Sequence, residues 1–183
     1  MKVCVVGLGY IGLPTAAMLA SSGHEVVGVD VSENVLGTIR AGAAHFNEPD
    51  LQMLLTAAID TGRLRVQPAP EEADYFIIAV PTPIDPDSAP DMSYVDAAAA
   101  SIAPALRPGA TVILESTSPV GATEALGATL AEARPDLNFP RYLQESDAAD
   151  VAVCHCPERI LPGQMVRELV SNDRIIGGLS PQC

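Results

Sequence analysis

The chain has 183 residues and a formal charge of −13, from 10 Lys and Arg against 23 Asp and Glu. That length suits one domain of ordinary size, or a domain with a short extension. At 48% hydrophobic and 18% charged residues, the chain buries enough apolar surface to exclude disorder as its main state. The acidic excess argues against a nucleic-acid backbone or an anionic membrane as partner. It leaves room for a small phosphate ligand, which backbone N–H groups at a helix start hold without net positive charge. Four cysteines without a secretory signal are expected to be reduced thiols in the cytoplasm. The apolar runs are too short and too interrupted to span a bilayer.

Lys2 to Val6 is a β-branched run ended by glycine, the pattern of a strand buried on both faces. Gly7-Leu8-Gly9-Tyr10-Ile11-Gly12 follows, then a predicted helix from Leu13 to Ser22 with Pro14 in its first turn and Gly23 as its stop. Glu25 to Val29 is a second strand, ending at Asp30, which completes a βαβ unit. Helices are predicted over Ser32 to Ala41, with Ser32 as N-cap, and over Glu48 to Ile59. Arg63 to Val66 and Tyr75 to Val80 read as strands, and the proline-rich stretch Pro81 to Asp91 as an irregular surface loop. Ser93 to Ala103 is a predicted helix with Ser93 as N-cap, Thr111 to Leu114 a strand, and Val120 to Ala133 a helix. Val151 to Val153 and Arg174 to Ile176 read as short strands around Pro157 to Val170. This alternation specifies an α/β, Rossmann-like doubly wound fold: a mostly parallel sheet with helices on both faces.

The triplet Gly7, Gly9, Gly12 lies between a predicted strand and a predicted helix, and an acidic residue, Asp30, ends the next strand. That context makes it a dinucleotide fingerprint. Gly7 allows the turn, Gly9 lets the backbone approach a pyrophosphate, and Gly12 lets helix pack on strand. Asp30 would accept hydrogen bonds from a ribose and repel a 2′-phosphate, which favours NAD over NADP; the alternative is a tight turn with Asp30 capping the next helix. Pro81-Thr82-Pro83 and Glu115-Ser116-Thr117-Ser118-Pro119-Val120-Gly121 follow strands at the sheet's carboxyl edge. Thr82 and the hydroxyl cluster could face a ligand, or the prolines could simply end a strand and Ser118 cap a helix. Pro157-Glu158-Arg159-Ile160-Leu161-Pro162-Gly163 could serve acid–base work and phosphate or hydroxyl recognition, or be a surface ion pair. Cys154-His155-Cys156 has no second Cys/His pair nearby, so no metal site is expected; buried thiols are.

Residues 5–16, 79–83, 115–121 and 156–163 together resemble the nucleotide-sugar 6-dehydrogenases of the UDP-glucose/GDP-mannose dehydrogenase family. Within it, Glu48-Pro49-Asp50-Leu51, Pro90-Asp91-Met92 and residues 172–178 look most like members that oxidise UDP-N-acetyl-D-mannosamine. The resemblance implies NAD-dependent, four-electron oxidation of the sugar C6 alcohol to a carboxylate, by way of a thiohemiacetal and a thioester on a cysteine. By motif it implies that Gly7, Gly9, Tyr10, Ile11, Gly12, Asp30, Thr82, Thr117 and Thr123 serve NAD, that Glu158 serves the water or proton steps, and that Arg159 and Ile160 touch a UDP-sugar. It places the nucleophilic cysteine, the catalytic lysine, a dimer-forming helix and a nucleotide-binding domain beyond this chain. The expectation is therefore a cofactor domain, spanning residues 1–183, of an enzyme that is a homo-oligomer at full length. UDP-glucose or UDP-N-acetylglucosamine as substrate, and a non-catalytic NAD-binding module, stand as alternatives.

Overall fold

A computed structural model describes residues 1–84, 87, 89–141 and 149–183. The β-branched runs form parallel strands: β1 (Lys2–Val6), β2 (Glu25–Val29), β3 (Leu64–Gln67), β4 (Tyr75–Ile78), β5 (Thr111–Leu114) and β6 (Ala152–His155). A two-residue β7 (Gly177–Gly178) pairs antiparallel with β6. The strand order is β3-β2-β1-β4-β5-β6-β7, so the direction of winding reverses between β1 and β4. In open α/β sheets a crevice opens at such a point, beyond the carboxyl ends of the strands.

The strands alternate their side chains between two apolar layers. Val3 and Val5 face one, with Leu13, Ala16 and Ala17 of α1 (Gly12–Ser21), Leu36 and Ile39 of α2 (Glu33–Arg40) and Leu51 and Leu55 of α3 (Leu51–Asp60). Cys4 and Val6 face the other, with Val95, Ala99 and Ile102 of α4 (Ser93–Ile102) and Leu126 and Leu130 of α5 (Ala122–Ala133). A last helix, α6 (Met165–Ser171), packs beside α1. Among the described residues no helix is long and apolar enough to cross a membrane.

The Rossmann-like reading holds, and several local expectations are corrected. The third helix starts at Leu51, not Glu48, because Pro49 disfavours helical backbone at Glu48 and Asp50 is left-handed at φ 63°. Ser93 is not an N-cap: Met92 holds that position, and Asp91 Oδ1 instead accepts the Ser93 N–H at 2.9 Å. Helix α5 begins after Val120, because Gly121 sits at φ 91° and cannot continue a helix backward. Its N-cap is that glycine and not Ser118, whose Oγ donates to the Ser116 carbonyl at 2.7 Å. Arg174 to Ile176 is not a strand, since the edge of β6 is taken by Gly177 and Gly178 and Arg174 turns inward to a carboxylate. Strand β4 ends at Ile78, two residues early, and β6 runs on to His155. The Pro81 to Asp91 loop is described in part, with a bridge between Ile84 and Pro90; the expectation for residues 85, 86 and 88 lies outside the described residues.

Candidate functional site

The three fingerprint glycines answer to different neighbours. A Cβ on Gly7 would stand 2.6 Å from the Ala79 carbonyl oxygen, and one on Gly12 would stand 1.8 Å from the Gly7 oxygen. Both are demanded by the fold itself. A Cβ on Gly9 would meet nothing within 4 Å, so packing gives no reason for glycine there, whereas a ligand lying on the bare backbone does. The amino end of α1, just beyond, has no side-chain cap and no acidic residue in its first turn. Its free N–H groups and positive dipole end therefore face outward together, which suits an anion.

Asp30 stands at the end of β2 beside this loop. Its Oδ2 accepts the Leu8 N–H and its Oδ1 the Ser32 N–H, each at 2.9 Å. The carboxylate thus braces the turn into α2, whose N-cap is Ser32, and is held against the glycine loop. Each oxygen keeps a lone pair for a ribose hydroxyl. Ser32 caps α2 as expected, accepting the Val35 N–H at 3.4 Å.

Ile11, Ala79, Val80, Pro81, Thr82, Glu115, Ser116, Thr117 and Glu158 line a crevice of about 170 Å³ at the β1/β4 reversal. The expected residues Ile11, Thr82, Thr117 and Glu158 come together there from four separate segments. Thr123 does not; it lies in the first turn of α5, outside the crevice lining. Arg159 is exposed and Ile160 is buried, on the same loop as Glu158. Glu158 accepts the Ile160 N–H within that loop. The hydroxyl cluster divides in its roles. Ser116 donates to the Val80 carbonyl at 2.7 Å and Ser118 to Ser116, while Thr117 is exposed at the crevice.

The sequence reasoning gave no role to Glu115, which lines the crevice. Glu115 is buried, accepting from Arg174 Nη1 at 2.8 Å and from the Thr15 hydroxyl at 3.5 Å. Burial raises its carboxyl above the ordinary range against the pull of Arg174, and the nearby Glu158 charge raises it further. It also separates the crevice from a second, apolar cavity of about 270 Å³ lined by Met18, Leu19, Ile113, Cys156 and Arg174 among others. Arg174→Met is expected to leave a buried carboxylate without its partner, at a cost of about 3–5 kcal/mol near neutral pH. Without Arg174, Glu115 titrates in the folded state above its unfolded range near 4.5. The variant therefore loses stability as pH rises above that range towards the raised folded value, and regains it on acidification. Urea midpoints at pH 5 and pH 8 check this; an equal deficit at both would count against the pairing.

Glycine loop, uncapped helix end, strand-end acid and crevice at the winding reversal define a dinucleotide-binding domain. More narrowly, residues 1–183 match the UDP-glucose/GDP-mannose dehydrogenase family, NAD binding domain, and the chain belongs to that family. It is 56% identical over 99% of its length to the NDP-N-acetyl-D-galactosaminuronic acid dehydrogenase of Ralstonia nicotianae. It is 55% identical over the same share to the UDP-N-acetyl-D-mannosamine dehydrogenase of Yersinia pestis. It covers 42% and 43% of those two proteins, so the chain spans less than half the length of these relatives. The structure of the UDP-N-acetyl-mannosamine dehydrogenase from Pyrococcus horikoshii superposes with a TM-score of 0.90 at 42% identity, over 100% of this chain and 42% of that one.

Proposed function

We propose that this chain is the cofactor domain of a longer enzyme that oxidises the C6 alcohol of UDP-N-acetyl-D-mannosamine to the carboxylate with NAD. The observation that carries the proposal is the crevice, which sets Glu158 among Ile11, Thr82 and Thr117 at the mouth of the glycine loop. The oxidation removes four electrons as two successive hydrides, which needs two NAD in turn, takes up one water and releases three protons. NAD supplies the hydride acceptor when bound. Gly9 and the amino end of α1 hold the pyrophosphate, and Asp30 holds the ribose hydroxyls. Tyr10, Ile11, Thr82, Thr117 and, less directly, Thr123 orient the rest. Glu158 accepts and returns protons at the water and at the C6 oxygen, while Arg159 and Ile160 meet the sugar. The enzyme would act in the cytoplasm as a homo-oligomer. A second sugar, an N-acetylgalactosamine nucleotide, is favoured by the name of the Ralstonia relative. Product analysis on the longer enzyme with these two amino-sugar nucleotides, UDP-glucose and UDP-N-acetylglucosamine tests the assignment; turnover of any of the other three in preference to UDP-N-acetyl-D-mannosamine would overturn it.

The cofactor choice is testable on this chain. A 2′-phosphate at Asp30 would meet a like charge. The nearest downstream cation, Arg40, lies at the far end of α2, about 12 Å along the helix axis, and is engaged by Glu33 and the Val66 carbonyl. Asp30→Ala removes charged hydrogen bonds of about 1.5–3 kcal/mol and should weaken NAD about ten-fold or more while narrowing the gap to NADP. Calorimetry showing equal affinity for both cofactors in the unmutated chain would sink the idea.

A further inference from the structure

Glu48 sits in the segment between α2 and α3, 5% exposed, and no role in the proposed reaction calls for it. Its carboxylate reaches two motifs at once. Oε2 accepts the Tyr10 hydroxyl at 3.1 Å and the Gly163 N–H at 2.9 Å, and Oε1 accepts the Met165 N–H at 2.8 Å. Tyr10 follows Gly9 directly, two residues before α1, and its ring lies tilted on Phe46 with centroids 5.0 Å apart. Gly163 and Met165 close the loop that displays Glu158, Arg159 and Ile160, and Met165 opens α6. Gln164, the N-cap of α6, makes no side-chain cap of its own, so Glu48 supplies the acceptor from a distant part of the chain. One side chain therefore joins the loop on which the pyrophosphate would rest to the loop that faces the sugar.

We infer that Glu48 is a positioning residue that couples cofactor occupancy of the glycine loop to the ordering of residues 158–165. The inference rests on the cofactor reading above. A ligand on the glycine loop restrains Tyr10; the Tyr10 hydroxyl restrains the Glu48 carboxylate; and the carboxylate holds the Gly163 and Met165 N–H groups, which sets the position of Glu158 before a sugar arrives. A static cap on α6 would hold Gly163 and Met165 equally well with or without a ligand. Coupling makes their protection depend on it.

The two roles separate in hydrogen–deuterium exchange on the 183-residue chain, with and without NAD. In the unmutated chain, NAD should slow exchange in peptides covering 7–13 and also in those covering 158–168, the latter by about five-fold or more. Tyr10→Phe deletes the hydroxyl and leaves the bonds to Gly163 and Met165 in place. Glu48→Gln keeps the Oε1 acceptor for Met165 and turns a donor toward Gly163. With NAD at a concentration that saturates each variant, its effect at 158–168 should fall below about two-fold in both. Should Glu48→Gln fail to fold, Tyr10→Phe alone decides. Undiminished slowing at 158–168 in Tyr10→Phe overturns the coupling, as does slowing at 7–13 without any at 158–168 in the unmutated chain. No slowing at 7–13 overturns the cofactor reading and the coupling together.

Discussion

The 183-residue chain on its own is expected to bind NAD and to form no NADH when given NAD with UDP-N-acetyl-D-mannosamine. On the proposed reaction the second oxidation uses a cysteine thiolate at the sugar carbon, and no described cysteine lines the crevice. Burial pushes the Cys4 thiol up to about 12 and the Cys154 thiol up to about 11, so at pH 7 their thiolate fraction is on the order of 10⁻⁵ to 10⁻⁴, and buried thiols of this kind are inert. Cys156 is buried beside Arg174, on the other side of Glu115 from the crevice. Cys183 has its sulfur 3.3 Å from the Ser180 hydroxyl. The first oxidation lacks a base of the implied kind as well. The sole lysine, Lys2, starts β1 and pairs with Glu71, whereas the crevice lies past the other end of that strand, about 13 Å away along the sheet. The relatives are more than twice as long, and groups that would hold the uridine diphosphate are proposed to lie in their remaining length. Such positioning supplies about 7–11 kcal/mol of barrier reduction in favourable cases. Steady NADH production that stops when the sugar is withheld would show that the catalytic groups have been misplaced.

The parts of this molecule that were legible in the sequence are those determined by near neighbours. β1, the glycine loop, α1 and β2 lie within thirty consecutive residues, and each is specified by its own residues: a β-branched run, a bare turn, an alanine-rich stretch and a closing acid. β2 and β5 fall where the apolar runs put them. What stayed hidden depends on distant partners. Glu48 takes two of its donors from residues 115 and 117 positions further on, and nothing local announces those partners. Pro49 was the available signal that Glu48 lies outside the helix, because a residue before proline avoids helical backbone. Arg174-Ile175-Ile176 has strand composition, yet a buried Glu115, 59 positions earlier, draws Arg174 inward and leaves both isoleucines exposed. Helix α6 buries only Met165, so it shows no apolar stripe from which to read it. Its amino end is held by Glu48, and the loop before it by Glu168, which accepts the Leu161 N–H at 2.7 Å.

Glu158→Gln in the longer enzyme should slow turnover about 10²–10⁴-fold, the usual contribution of a positioned acid–base group, with NAD affinity unchanged within about two-fold. The substitution suits the geometry. Glu158 is half-buried at the crevice, two residues past the buried Cys156 that follows β6. It accepts the Ile160 N–H, and a glutamine carbonyl preserves that bond, so the loop keeps its shape. What the variant loses is the ability to take a proton. If the reaction runs through a cysteine-bound acyl group, as the resemblance implies, the loss falls chiefly on attack of water on that group, so a covalent enzyme–sugar adduct should accumulate and be visible by mass spectrometry. Removing the Glu158 charge also relieves Glu115, whose carboxyl this neighbour helps to raise. The buried Glu115–Arg174 pair should therefore be no weaker in the variant, and its urea midpoint should not fall. Low turnover with an unfolded or destabilised protein would point to a structural role instead. Turnover equal to that of the unmutated enzyme would return Glu158 to the surface of the loop, and the proton steps would then belong to groups outside this crevice.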